Sequence, residues 1–169
     1  MDIPKNIWFN PALNARRKAG ALTLADNVLI GIAAFTAEIF PSSKTDIGSR
    51  KSGVHPPEVV VNLYQQANSK RLANTDEFTF GVEVSYIAKD PTDKAEINDA
   101  IFQILQSLDI IQSDVGTFRC RDKNSSITDG IGHVTANVSA WEIQPDDAPV
   151  ILKANAIAII KNAETEVNL

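Results

Sequence analysis

The side chains that could do chemistry in this sequence are few, and their spacing does not bring them together. His55 and His133 are the only imidazoles. Such a pair could move protons or hold a first-row metal, but a two-histidine site needs carboxylates at ligand spacing, and none stand there. His55 precedes Pro56-Pro57 in a loop, and His133 falls in a strand on the face opposite Val134 and Val138. Cys120, the lone cysteine, alternates with Arg119 and Arg121 and shares a face with Phe118. That is the pattern of a buried small hydrophobe rather than a reactive thiolate. The acid pairs Asp90/Asp93 and Asp146/Asp147 suit helix capping and solvated turns better than acid–base catalysis. No glycine-rich stretch leads into Lys-Ser or Lys-Thr before a helix, so no phosphate loop is expected. Asn137-Val138-Ser139 matches a glycosylation sequon only formally. The reading is of a protein that is not an enzyme, with no catalytic residues, no cofactor and no metal. Binding or assembly is the expected work.

The composition sets the frame for that work. The chain has 169 residues, 44% hydrophobic and 22% charged, which is one ordinary folded domain with a real core. A net charge of −5 argues against a nucleic-acid-binding surface over the whole molecule. A single cysteine excludes an internal disulfide framework. The longest apolar stretch, Val28 to Phe40, is interrupted by Gly31, Thr36 and Glu38, so no membrane span is expected. The N-terminus lacks the pattern of a signal peptide. Together these give a soluble protein of a reducing compartment.

The elements follow from periodicity. Residues 1–20 form a basic arm, with Lys5, Arg16, Arg17 and Lys18 against Asp2. It is either a loose tail or an arm that docks Trp8 and Phe9 on a neighbouring subunit. Leu22 to Phe40 reads as an amphipathic helix, capped by Thr23 or Asp26 and stopped by Pro41. A short edge strand is expected near Thr45–Arg50. Val59–Tyr64 and Phe78–Tyr86 alternate as strands, with Gln65 to Asp76 as a long polar hairpin tip between them. Asp90-Pro91 opens a helix whose stripe is Ile97, Ile101, Ile104, Leu105 and Leu108. Thr117–Arg121 alternates again, Asp129-Gly130 turns, and Val134 to Trp141 is a last long strand. Val150 to Ile160 is apolar and fits neither period cleanly, with a lean towards strand; the remainder is a polar tail. The expected class is α+β, a mainly antiparallel sheet with two helices packed on one face. The expected organisation is an arm at 1–20, a domain at 21–143 and an extension at 144–169.

The stretch from about Val28 to Trp141 resembles the tail terminator proteins of long-tailed bacteriophages and their prophage relatives. The likeness lies in an ordered series. It runs from the helix ending Phe40-Pro41 to the strand Val59-Val60-Val61-Asn62-Leu63, then a polar hairpin and the strand Phe78 to Tyr86. The helix Ile97 to Ile111, the basic strand Phe118-Arg119-Cys120-Arg121 and the Asp129-Gly130 turn into Val134 complete it.

The resemblance implies a structural virion protein without substrate or turnover. It would cap the head-proximal end of the tail tube as a homo-hexameric ring, end tube polymerisation and join the neck. Its partners would be the tail tube protein and a neck or connector protein, with the tail sheath a further candidate. DNA would pass through the lumen without specific binding, past acids such as Asp76 and Glu77. Its place would be the virion tail, and the host cytoplasm during assembly. The candidate interaction residues are Lys70 and Arg71 in the hairpin, and Trp8, Phe9, Arg16 and Arg17 in the arm. Another head–tail connector or tail-completion protein is one alternative. A small cytosolic binding domain, or an enzyme with an unrecognised site, is another.

Overall fold

Asn10 and Pro11 look like breakers in a basic arm, yet they start a helix. Asn10 accepts the Leu13 N–H at 2.8 Å on its side-chain oxygen, and Pro11 takes the first helical position. A missing N–H costs nothing at that position. The structure, a computed structural model, describes residues 3–48, 53–71 and 75–143. The expectations for Val150–Ile160 and the polar tail lie outside these residues.

Among the described residues there are ten elements: β1 (Ile7–Phe9), α1 (Pro11–Lys18), α2 (Leu24–Ile39), β2 (Lys44–Ile47), β3 (Glu58–Lys70), β4 (Thr75–Ile87), α3 (Lys94–Ser107), β5 (Ile110–Ser113), β6 (Gly116–Thr128) and β7 (Ile131–Ile143). The strands form one seven-stranded sheet in the order β1-β2-β3-β4-β7-β6-β5. β1/β2 and β2/β3 are parallel; the other four pairings are antiparallel. The class is mixed α+β, as expected, but two particulars are corrected. The sheet is mixed rather than mainly antiparallel, and three helices are present rather than two. The reason is the crossover through α1 and α2, which returns the chain to the same end of the sheet and makes β1 and β2 parallel. β2 also lies inside the sheet, since β1 covers the side that an edge strand would leave open.

Alternation decides which face is buried. Val59 and Val61 of β3, Phe80, Val82, Val84 and Tyr86 of β4, and Val134, Ala136, Val138 and Ala140 of β7 all lie in the core. The register sets Val61 beside Val84 and Val84 beside Val134, so they share one face. α2 and α3 cover it. A Cβ on Gly132 would touch Ile97 and Ile101 of α3 at 3.0 Å, and the Phe40 ring lies 5.2 Å from that of Tyr86. The Tyr86 hydroxyl donates to Glu96 Oε1 at 2.7 Å, tying α3 to the sheet. Burial and this carboxylate raise the phenol above its ordinary range. Lys123 reaches across from β6 to the Leu105 carbonyl and to Asp109, placing a cation at the carboxyl end of α3.

Two local readings change. α3 is capped by Asp93, whose carboxylate accepts from the Ala95 and Glu96 N–H groups, while Asp90 closes the preceding turn through Thr92. The hairpin tip is short: β3 continues to Lys70 and β4 resumes at Thr75. Most of the polar stretch Gln65–Asp76 is therefore strand. Cross-strand hydrogen bonds hold Gln65–Lys70 extended against β4, with their side chains exposed.

Candidate functional site

The second face of the sheet has no helix on it among the described elements. The register places Trp8, Asp46, Val60, Ser85 and His133 in one row across it, and Asn62, Glu83 and Thr135 in the next. At its centre Ser85 Oγ donates to Glu83 Oε1 at 2.8 Å. His133 Nδ1 lies 2.9 Å from the same oxygen and 3.1 Å from Ser85 Oγ. Burial pushes the Glu83 carboxyl up, but the hydrogen bonds from Ser85 and His133 outweigh it and hold the group below its ordinary value. The three residue types are those of a hydrolytic triad, yet the geometry is not. Serine and acid meet the same ring nitrogen, so no proton can be relayed from one side of the imidazole to the other. The cluster ties Glu83 and Ser85 of β4 to His133 of the neighbouring β7.

Large aromatic groups surround that polar centre. Trp8 is 62% exposed, Trp141 59% and Tyr64 54%. All three stand on the helix-free face: Trp141 is in register with Glu77, and the Tyr64 ring lies over Gly81. Lys44 Nζ sits 4.0 Å from the centre of the Trp8 ring, a cation–π contact, and 3.5 Å from Asp46. Arg119 and Arg121 of β6 flank Ser139 and Asn137 on the same face. On the opposite side of the molecule α3 exposes Phe102, at 63%. Scattered exposed apolar groups are ordinary, but Trp8, Tyr64 and Trp141 stand together on one strand face around a polar centre, the pattern that marks interaction sites in general.

The six residues singled out from sequence fall into two groups at opposite ends of β3. Phe9 packs half-buried against the core, with the Arg17 guanidinium 4.5 Å from its ring centre. Arg16 is bound to Asp26 and Trp8 is exposed. Phe9 and Arg17 meet each other, whereas Arg16 goes to Asp26 of α2 and Trp8 to Lys44 of β2. Lys70 and Arg71 stand at the far tip, where Lys70 is in register with Asp76 and Arg71 forms an ion pair with Glu77. Asp76 is buried and Glu77 is engaged by Arg71, so neither offers a free exposed charge. His55 donates its backbone N–H to Glu58, and Cys120 is buried, which pushes its thiol up to about 11. No group of three or more His, Cys, Asp or Glu is arranged for a metal among the described residues, and no described helix is long and apolar enough to cross a membrane.

Sequence reasoning missed Trp141, Tyr64 and Lys44. The alternation that set His133 opposite Val134 already put Trp141 on the His133 face, so that signal was present. Tyr64 was hidden by a register shift between Leu63 and Gln65.

The phage tail terminator family profile matches residues 27–150 of this chain. The chain belongs to the phage tail terminator family. It is thus a structural protein of a phage tail, in a family that is not enzymatic. The match begins inside α2 and runs beyond β7, so β1 and α1 of this tail terminator precede the shared part. Among the solved chains that are similar, one shares 12% identity with a TM-score of 0.39, over 72% of this chain and 93% of its own length. No curated protein matches.

Proposed function

We propose that this chain caps the head-proximal end of the tail tube as a hexameric ring, ends tube polymerisation and forms the junction with the neck. The family match over residues 27–150 carries this reading. Three features of the chain support it. Exposed aromatics stand on two unlike surfaces, the helix-free sheet face and the outer side of α3. Unlike patches on opposite sides give head-to-tail contacts, which close into a ring when the rotation completes a turn. The β3–β4 arm projects past the helices with Tyr64 to Lys70 exposed throughout, long enough to reach a neighbour or the tube protein. A net charge of −5 per copy suits a lumen through which DNA slides without being gripped.

Electron microscopy of tails assembled with and without the chain tests this. Six copies around the axis at the head-proximal tube end, and overlong tubes when the chain is missing, are expected. One copy per tail, or tubes of normal length without the chain, would overturn it. A continuous ring of Lys or Arg at the narrowest point would overturn the sliding-DNA part alone.

A further inference from the structure

The sheet has a bare stretch of strand edge on each side. On one side β2 pairs with β3 only from Glu58 to Val61, so the outer edge of Asn62–Lys70 has no strand beside it among the described residues. On the other, β5 pairs with β6 only from Gly116 to Arg119, and the Cys120 N–H goes to the Asp109 carbonyl. The outer edge of Arg121–Thr128 likewise has no strand beside it among the described residues. Tyr64–Lys70 and Asn124–Thr128 are exposed throughout. Bare edges of this length are templates for strand addition, and native proteins cover them.

We propose that the β3 edge of one copy pairs antiparallel with the β6 edge of the next, so that the sheet runs on from subunit to subunit. This rests on the ring reading above and names the joint between its copies. Direction fits. β3/β4, β4/β7 and β7/β6 are each antiparallel, so β3 and β6 run opposite ways within one copy. A second copy displaced sideways along the sheet sets its β6 antiparallel to the first copy's β3. The joint unites unlike edges, and repeated with a rotation it closes into a ring.

Shape and side chains fit as well. β1 and β2 make a step at one end of the β3 edge, beside Glu58–Val61. β5 makes a step at the opposite end of the β6 edge, where Ile110 is level with Ala67 through Arg119, Ser139 and Thr79. Each step lies beyond the end of the other copy's bare run. Leu63, in register with Val82, is half-buried on the helix side of β3. Ile127, in register with Gly132 under α3, is 41% exposed on the same side of β6. Set beside each other, these two bury their apolar surfaces, and Ser69 comes beside Arg121 on the helix-free side. Each strand has one register shift within the run, Leu63/Gln65 in β3 and Arg121/Asn124 in β6, so both ends stay in step. In its own copy Ile127 is level with Val59, so the joint slides each copy by four residues, about 13 Å at roughly 3.3 Å each. Closing a sheet around an axis requires such a stagger.

Beyond Ser69 the tip of the arm meets the β5 step of the next copy. A hollow of about 450 Å³ lies there, lined by Asp109, Ile110, Arg119, Cys120 and Arg121. Lys70 is exposed on the helix side of the tip. The Asp109 side chain, 69% exposed, stands on the same side, where Lys123 holds it beside the end of α3. Arg119 and Arg121 point to the helix-free side, away from Lys70. Opposite charges therefore meet where the two edges end.

Cross-linking in assembled tails, in a Cys120→Ser background, tests the joint. Leu63→Cys with Ile127→Cys on one chain is expected to give, on mild oxidation, a ladder of covalent species that ends at six copies. Either substitution alone gives no cross-link, and tails from a mixture of the two single variants give pairs and nothing larger. Ser69→Cys with Arg121→Cys, both at exposed positions, gives the same ladder if the first pair disturbs the fold. Failure of both pairs in tails whose ring is seen by electron microscopy would overturn this joint and leave the ring. Cross-links between two Leu63→Cys copies would overturn it too, since like edges would then meet. Tails that carry one copy of the chain would overturn the ring itself, and the joint with it.

Discussion

Arg16 holds Asp26 in a two-pronged ion pair, Nε to Oδ2 at 2.8 Å and Nη2 to Oδ1 at 2.7 Å. The same carboxylate accepts the Thr23 backbone N–H at 3.0 Å, and the Thr23 hydroxyl accepts the Asp26 N–H at 3.1 Å, which is a complete capping box for α2. One acid therefore starts the longest helix and fixes α1 against it. The arm is held to the domain by paired charge as well as by the pairing of β1 on β2.

That arrangement makes Asp26 a source of acid sensitivity. The Arg16 hydrogen bonds hold its carboxyl below the ordinary value, against a burial that pushes it up. A lowered folded-state pKa contributes stability that is whole above the unfolded value, about 4. The contribution is lost as pH falls from there through the folded value. Asp26→Asn is expected to flatten the loss of stability between about pH 5 and pH 2, and Thr23→Ala to cost about 1 kcal/mol at neutral pH. Urea unfolding across that pH range reads both. An unchanged acid slope in Asp26→Asn would contradict this account.

Lys70 and Arg71 are expected to act in assembly rather than in folding. Both are exposed at the tip of the arm. Arg71→Glu sets a second carboxylate beside Glu77, and Lys70→Glu does the same beside Asp76. The double reversal is expected to lower the yield of complete tails severely while moving the melting temperature by no more than about 3 °C, since the reversed charges at Lys70 and Arg71 stay in solvent. Arg71→Glu with Glu77→Arg restores the local pair. Full recovery of tails in that swap would show that the pair is needed only within the chain; continued loss would place the role of Arg71 in contact with a partner.

The only two tryptophans, Trp8 and Trp141, both stand exposed on the helix-free face. If that face is covered in the assembled tail, their emission moves to shorter wavelength on assembly, and Trp8→Phe and Trp141→Phe each remove part of the change. Emission that stays at the solvent-exposed position in assembled tails would show that the surface remains open.

Gly81 lets Tyr64 lie flat on the sheet. A Cβ there would stand 2.7 Å from Tyr64 Cζ and 2.8 Å from Cε2. Gly81→Ala is expected to cost about 1–2 kcal/mol by displacing the ring. Tyr64→Ala, with its ring already in solvent, costs less. The double variant should be more stable than the sum of the two losses predicts. Strict additivity in denaturant titrations would show that the ring does not rest on the glycine.

Sequence periodicity by itself determined the elements with a long buried stripe, α2, β4, α3 and β7, and the buried Cys120; the Asp129-Gly130 dipeptide marked its turn, and the order of these elements carried the resemblance to the family. A stripe of ten or more residues leaves a repeating signal because each apolar side chain must face the same core. The tertiary structure alone decided the rest. β1, β2 and β5 have three or four residues each, too few for a period, and exist because a neighbouring strand takes up their hydrogen bonds. Gln65–Lys70 and Thr75–Asp76 are strand in spite of their polarity, for the same reason. Arg16 and Arg17 carry no mark in the sequence to show that Asp26 and Phe9 await them. Such contacts join residues far apart along the chain or packed by tertiary folding, and local pattern records only what neighbours along the chain share.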